Sequence, residues 1–253
     1  MITVAIIDSG VDLAHPWFMA HDLAASVVRR DFTGEDDLQD LGGHGTFHCG
    51  QVTRLAGQPV RLLVARVVGA NDTAAPDHVV EALSWAREEG ALLISIGLGA
   101  PCSTAALELA VHTCAETALV IAPVGNQLCR ERLDGDDPRV FRTCALLPAR
   151  LPSVLGVGLA AGPGVVATSD CAGMDVRFAG ADIEGPAPGG RVVSRASTSV
   201  AAARASGVAA RILLADADLR DATRSGRGHS LMVARLLAEA MARPALASSF
   251  EIH

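Results

Sequence analysis

Short apolar runs alternate with longer apolar and polar periodicities along the first 160 residues. Ile2 to Ile7, Val60 to Val68 and Ala91 to Leu98 are runs of strand length with little polar interruption, as strands covered on both faces require. Between the last two, Val79, Ala82, Leu83 and Ala86 recur at helical spacing, with Pro76 at the start of that helix and Gly90 at its end. A strand, a helix and a strand in that order make a crossover, so the pattern predicts βαβ units with parallel pairing. Leu119 to Val124 and Val154 to Leu159 add two strands, Ser199 to Leu214 reads as an alanine-rich helix, and Leu231 to Ala242 as an amphipathic one. The expected fold class is α/β: a doubly wound, mostly parallel sheet with helices on both faces. No repeat or linker-like tract divides residues 1–253, and the Gly/Pro cluster at 185–190 has the size of an ordinary loop, so one domain is expected.

Composition narrows the chemistry. Half of the 253 residues are hydrophobic and 19% are charged, which suits a folded chain with a large core. There is no Lys and no Tyr, which excludes a Lys Schiff base, a phosphate-loop Lys and a Tyr acid. A net charge of −7 and few aromatic residues speak against nucleic acid as a partner. No apolar run reaches the roughly 18 residues of a membrane span, so no membrane partner is expected. Met1 leads directly into the first strand without a basic segment or cleavage site, so neither signal peptide nor propeptide is expected, and the cytoplasm is the expected compartment. The six cysteines follow no C-x-x-C spacing and read as reduced, buried thiols; Cys129 and Cys144, which bracket a charged loop, are the one pair to consider for a disulfide.

In such sheets functional groups collect at the carboxyl ends of the strands. Strand one ends in Asp8-Ser9-Gly10-Val11-Asp12, and Gly42-Gly43-His44-Gly45-Thr46 leads into a short helix. Another strand ends in Pro123-Val124-Gly125-Asn126, and Ser197-Thr198-Ser199 opens the alanine-rich helix. Singly, each is a common turn or helix cap. In combination they supply an orienting carboxylate, a general base, an oxyanion donor and a nucleophile at the edge of one sheet.

These segments resemble the subtilisin-like serine peptidases, the subtilases, over about Ile2 to Leu214. Val4 to Asp12 is similar to the family's Asp motif, His44 to Gly50 to its His motif, and Ser197 to Gly207 to its Ser motif, in which Ala201, Ala202 and Gly207 set the register on Ser199 rather than Ser194 or Ser197. The resemblance implies a serine endopeptidase that uses Asp8, His44, Ser199 and Asn126 and needs no cofactor. It further implies that Leu98 and Gly99 pair with an extended substrate, that Leu146 floors the S1 pocket with Ala149 beside it, and that Pro123 to Gly125 form its wall. The expected P1 residue is then small or medium and uncharged. Asp40 and the acids at 35–37 lie in the approach to the catalytic His and imply a basic residue at P2 or P4, while the loop from Gln127 to Thr143 could gate the cleft of a selective processing enzyme.

The chain departs from the family at Ser197, where Gly is usual, at Ala203, where Pro is usual, and at Phe47-His48, where His and an aliphatic residue are usual. His44 and His48 are spaced as two metal ligands on a helix face, but the accompanying Glu is missing, so no metal is expected. Only residues 51–59 separate Gly50 from the next strand, too few for the calcium loop that many relatives carry there. The expected partner is a peptide or protein substrate, with a partner subunit at the uncovered edges left open. Two alternatives share these residues: a catalytically silent peptide-binding module, and acyl transfer to an amine, giving ligation or macrocyclisation.

Overall fold

Strand β1 (Thr3–Asp8) shows why the central strands are almost wholly apolar: from Val4 onward every residue is buried, because β1 is covered on both faces. Val4 and Ile6 point into one core layer, while Ala5 and Ile7 point into the other. The computed structural model describes residues 1–20, 24–126, 145–160, 168, 171–242 and 250–252. Within them β2 (Val27–Asp31), β3 (Arg61–Arg66), β4 (Leu93–Ile96), β5 (Leu119–Pro123), β6 (Val154–Leu159) and β7 (Val176–Phe178) join β1 in parallel, and β10 (Phe250–Ile252) adds an antiparallel edge. The order is β10-β7-β6-β5-β4-β1-β3-β2, with β1 paired to β3 on one side and β4 on the other. This is the doubly wound α/β sheet that the apolar pattern predicts.

Helices α2 (His44–Ala56) and α5 (Thr198–Ala215) cover one face; α3 (Pro76–Glu88) and α4 (Ala105–Ala115) cover the other. The contact between α2 and α5 is close because Gly207 lacks a side chain: a Cβ there would lie 2.7 Å from Leu55 Cβ and 2.9 Å from the Val52 carbonyl oxygen. The buried alanines Ala201, Ala202 and Ala205 keep the rest of that interface thin. Two helices packed this tightly bring their N-terminal ends together over the carboxyl end of β1.

Several elements escape the sequence pattern. β2 is a sheet edge whose Val28, Arg29 and Arg30 are exposed, so it carries no apolar run. The His44 helix runs for 13 residues rather than being short. The 185–190 cluster is no simple loop: it contains the end of β8 (Ile183–Ala187) and the Gly189-Gly190 turn into β9 (Arg191–Arg195), a separate two-stranded antiparallel ribbon. Both turn glycines have positive φ, 76° and 74°, which a side chain would strain. Helices α1 (Pro16–Ala20), α6 (Ala217–Arg224) and α7 (Gly228–Ala242) complete the chain. Cys129, Cys144 and the loop from Gln127 to Thr143 lie outside the described residues; Cys49 and Cys114 are buried free thiols and Cys102 an exposed one. No helix among the described residues is long and apolar enough to cross a membrane.

Candidate active site

Asp8 is the last residue of β1, and the parallel sheet presents it, fully buried, at the carboxyl edge. Its Oδ1 accepts from the Ser9 amide at 2.7 Å, and His44 Nδ1 lies 2.7 Å from Oδ1 and 2.9 Å from Oδ2. The other ring nitrogen, Nε2, lies 2.9 Å from Ser199 Oγ. A carboxylate only accepts, so Nδ1 carries the proton and Nε2 is the acceptor for the serine hydroxyl. Burial alone would raise the Asp8 pKa, but the charge and hydrogen bond of His44 and the close approach of the His48 imidazole outweigh it and hold the carboxyl far below its ordinary range. The Asp8 charge in turn raises the His44 pKa above 6.5, against burial and the nearby Arg195 guanidinium.

Ser199 sits in the first turn of α5, where backbone N–H groups lack intrahelical acceptors and the helix dipole favours negative charge. Ser197 is the N-cap: its Oγ accepts from the Val200 amide at 3.1 Å and lies 2.7 Å from Ser199 Oγ. Asn126 follows β5, and its Oδ1 accepts from the Thr198 amide at 2.8 Å and the Thr198 hydroxyl at 3.0 Å. With its oxygen held by Thr198, the exposed Asn126 side chain keeps its amide N–H groups free to donate elsewhere. The four residues expected to share a site are therefore in one place.

The substrate-side residues divide. Leu98 and Gly99 line a cleft of about 660 Å³ that also reaches Asp8, His44, Leu41 and Arg195. Leu146 is anchored by its amide to the Val124 carbonyl at 2.8 Å, and its side chain lies between Gly99 and Gly125: a Cβ on Gly125 would fall 2.6 Å from Leu146 Cδ1. That places it where a short pocket would have its floor, with Pro123 buried in β5 behind it. Ala149, by contrast, is fully buried in the core on the α3/α4 face and offers no surface to a substrate.

Asp40 also departs from expectation. It is buried, and its Oδ1 accepts from the Ser9 hydroxyl at 2.7 Å and the Gly43 amide at 2.8 Å, while Oδ2 accepts from the Thr46 amide at 2.7 Å. It anchors the start of α2 rather than facing a subsite, because helix-start amides need acceptors that water cannot supply here. Glu35 is likewise engaged: its Oε2 pairs with Arg66 at 2.6 Å, and Arg66 also meets Asp31 at 3.0 Å. Of the acids expected to favour a basic P2 or P4 residue, Asp40 and Glu35 are thus engaged within the protein, while Asp36 stays exposed and Asp37 half-buried.

Three polar residues stand behind the triad: His48, which the sequence marks only as a departure from the His motif, and Ser95 and Ser206, which no motif flags. His48 Nδ1 lies 3.1 Å from Asp8 Oδ2, and His48 Nε2 is 2.7 Å from Ser95 Oγ. Asp8, His48 and Ser95 resemble a second triad, but Ser95 is wholly buried and no substrate can reach it. Ser206 Oγ lies 2.7 Å beyond Ser95. The Asp8, His44 and His48 ligand atoms lie within 4.8 Å of one another. They do not suit a metal ion: both Asp8 oxygens and His44 Nδ1 already bond within the protein, and the Gly97 backbone closes against Oδ2.

The family model described as the subtilase family matches residues 1–249. The thermophilic serine proteinase of Bacillus sp. (strain AK1) is 29% identical over 221 residues, 82% of this chain and 51% of that protein. Subtilisin E of Bacillus subtilis (strain 168) is 26% identical over 222 residues, covering 84% of this chain and 55% of that protein. The chain thus spans about half the length of these relatives. Among solved structures, the prenylagaramide maturation protease PagA aligns with a TM-score of 0.69 and 26% identity, over 89% of this chain and 80% of that one. A cold adapted subtilisin-like serine proteinase aligns with a TM-score of 0.72 at 22% identity over the same shares, a likeness of fold alone.

Proposed function

Because this chain belongs to the subtilase family, we propose that it is a serine endopeptidase acting on peptide or protein substrates through Asp8, His44 and Ser199. The observation that carries this reading is the continuous line from Asp8 through both nitrogens of His44 to Ser199 Oγ, with no step longer than 2.9 Å. In the reaction the Ser199 oxygen attacks the scissile carbonyl carbon as its proton passes to His44 Nε2, and Asp8 stabilises the imidazolium that forms. The carbonyl electrons move onto oxygen, to which an Asn126 N–H and the Ser199 amide donate hydrogen bonds, stronger to an oxyanion than to a ground-state carbonyl. Collapse of the intermediate breaks the C–N bond, and His44 returns its proton to the leaving amine. Water, deprotonated by His44, then releases the acyl group and restores the serine.

A selective role in peptide processing, within a single peptidase domain, is supported by the partly filled Leu146 pocket and by the likeness to a maturation protease. The free thiols of Cys49, Cys102 and Cys114 support a reducing, cytoplasmic setting. An amine could replace water at the acyl-enzyme, so product masses decide between hydrolysis and ligation. The first test is a fluorophosphonate probe followed by peptide mapping: one adduct on Ser199 is expected. Folded protein that takes no label would overturn the enzyme reading in favour of a silent peptide-binding module. Mass-spectrometric cleavage mapping of a peptide library then identifies the substrate class.

A further inference from the structure

His48 occupies a place no step above uses. It lies on α2 one turn beyond His44, is 1% exposed, and packs its ring against the carboxylate of Asp8 on the side away from substrate. We propose that His48 is a positioning residue of the triad, bracing the second oxygen of Asp8 from inside the fold through a chain that runs back to Ser95 and Ser206. The proposal rests on the peptidase reading.

The chain has a direction. The carboxylate accepts only, so the His48 proton belongs on Nδ1; Nε2 then accepts from the Ser95 hydroxyl, which accepts from Ser206. The donors run in one direction, toward the buried anion's side of the chain, and in a dry interior such chains reinforce one another. The Nδ1 approach is close but oblique: Nδ1 has no well-directed acceptor, so it restrains the carboxylate by the dipole of its N–H and by packing more than by a straight hydrogen bond. The four residues come from β1, α2, β4 and α5, so the chain ties the Asp8 strand to the helix that carries Ser199.

Gly97 supplies an independent observation. It directly follows β4, and a Cβ there would collide with Asp8 Oδ2 and come within 3.0 Å of His48 Nδ1. A residue with a side chain at 97 would therefore displace the carboxylate or the imidazole, and glycine leaves them in contact.

The charged and titratable groups facing the Asp8–His44 pair are Asp40 before α2, Arg195 from β9, and Cys49 and His48 on α2. Substituting His48 alters one of these and leaves the rest. Without its N–H the Asp8 charge falls more fully on His44, which then holds its proton to higher pH.

The test is the rate of fluorophosphonate labelling of Ser199, followed across the pH range in which imidazole titrates, in wild type, His48→Leu, His48→Asn and Ser95→Ala. For His48→Leu the acid limb is expected to move to higher pH and the plateau rate to fall roughly tenfold, against about a hundredfold for a full 1 Å misplacement. His48→Asn, whose amide can stand where Nδ1 does, should hold the acid limb near wild type, and Ser95→Ala should move it partway. A space-filling role alone would lower thermal stability and leave the acid limb in place. Wild-type plateau and acid limb in His48→Leu would therefore overturn the proposal. Should His48→Leu not fold, Ser95→Ala decides: a shifted limb supports the proposal, an unmoved one overturns it. Wild-type protein that takes no label would instead overturn the peptidase reading beneath it.

Discussion

Ser197 stands two residues before the nucleophile with its oxygen 2.7 Å from Ser199 Oγ, and replacing it should speed acylation. The Ser199 hydroxyl donates to His44 Nε2, and Ser197 Oγ already accepts from the Val200 amide, so the Ser197 proton points at a lone pair of Ser199 Oγ. A donor to either lone pair draws electron density from the oxygen that must attack the substrate carbon. The hydrogen bond therefore stabilises the resting enzyme and weakens as attack proceeds, which raises the barrier. A neutral hydrogen bond contributes about 1 kcal/mol net, equivalent to a labelling rate roughly fivefold higher once it is removed. Ser197 is also the N-cap of α5: Ser197→Ala should cost about 1 kcal/mol and Ser197→Gly a few tenths. For a chain of this size that corresponds to about 2–4 °C in Tm for the alanine and less for the glycine. The backbone at 197 is extended, with φ −171°, so alanine meets no strain there. The assay is the second-order rate of fluorophosphonate labelling beside a thermal melt. Both variants should label faster than wild type, with Ser197→Gly the more stable of the two. A slower rate in Ser197→Gly at near-wild-type Tm would refute the reasoning and show that the Ser197 hydroxyl assists the nucleophile.

Asn126→Ala should lower kcat by roughly 10²–10³ with little change in KM, as one oxyanion donor does elsewhere, and a loss under about tenfold would mean that another group fills the hole. The pH profile of kcat/KM should have its acid limb above 6.5, because His44 must be neutral to act and Asp8 raises its pKa; Asp8→Asn should lower that limb and cut kcat by about 10⁴. The depressed Asp8 pKa contributes stability that is present above the ordinary 3.8 and lost as pH falls below it, while the raised His44 pKa contributes stability present below 6.5 and lost as pH climbs through the raised value. Thermal melts across these two windows should be flatter in Asp8→Asn. Leu146→Gly should admit Phe at P1 where the wild type prefers Ala, Val or Leu, and an unchanged cleavage profile would show that Leu146 is not the pocket floor.

The sheet and the triad were readable along the chain because both depend on local pattern. A strand covered on two faces must be apolar throughout, so β1, β3 and β5 show themselves as runs; β2, an edge strand with exposed Arg29 and Arg30, has no such obligation and does not. Asp8, His44 and Ser199 follow glycine-rich or capping segments whose spacing is itself a signature. The β8–β9 ribbon was hidden by its Pro186, which reads as a breaker although a two-stranded ribbon leaves strand edges that need no partner.

Where a polar side chain points is another matter. Asp40 and Glu35 read as acids near the catalytic histidine, yet one is turned onto the amides of Gly43 and Thr46 and the other onto Arg66, 31 residues away. Ala149 looks like a pocket neighbour in its segment and is core in the fold. His48 is one turn from His44 in the chain, but its meaning comes from Ser95 and Ser206, 47 and 111 residues apart from their partners. Alternation and spacing specify which face of an element is buried and where a turn must fall, since those are properties of a few neighbouring residues. The acceptor that a buried donor finds is set by which distant strand or helix packs beside it, and that information exists only once the chain has closed on itself.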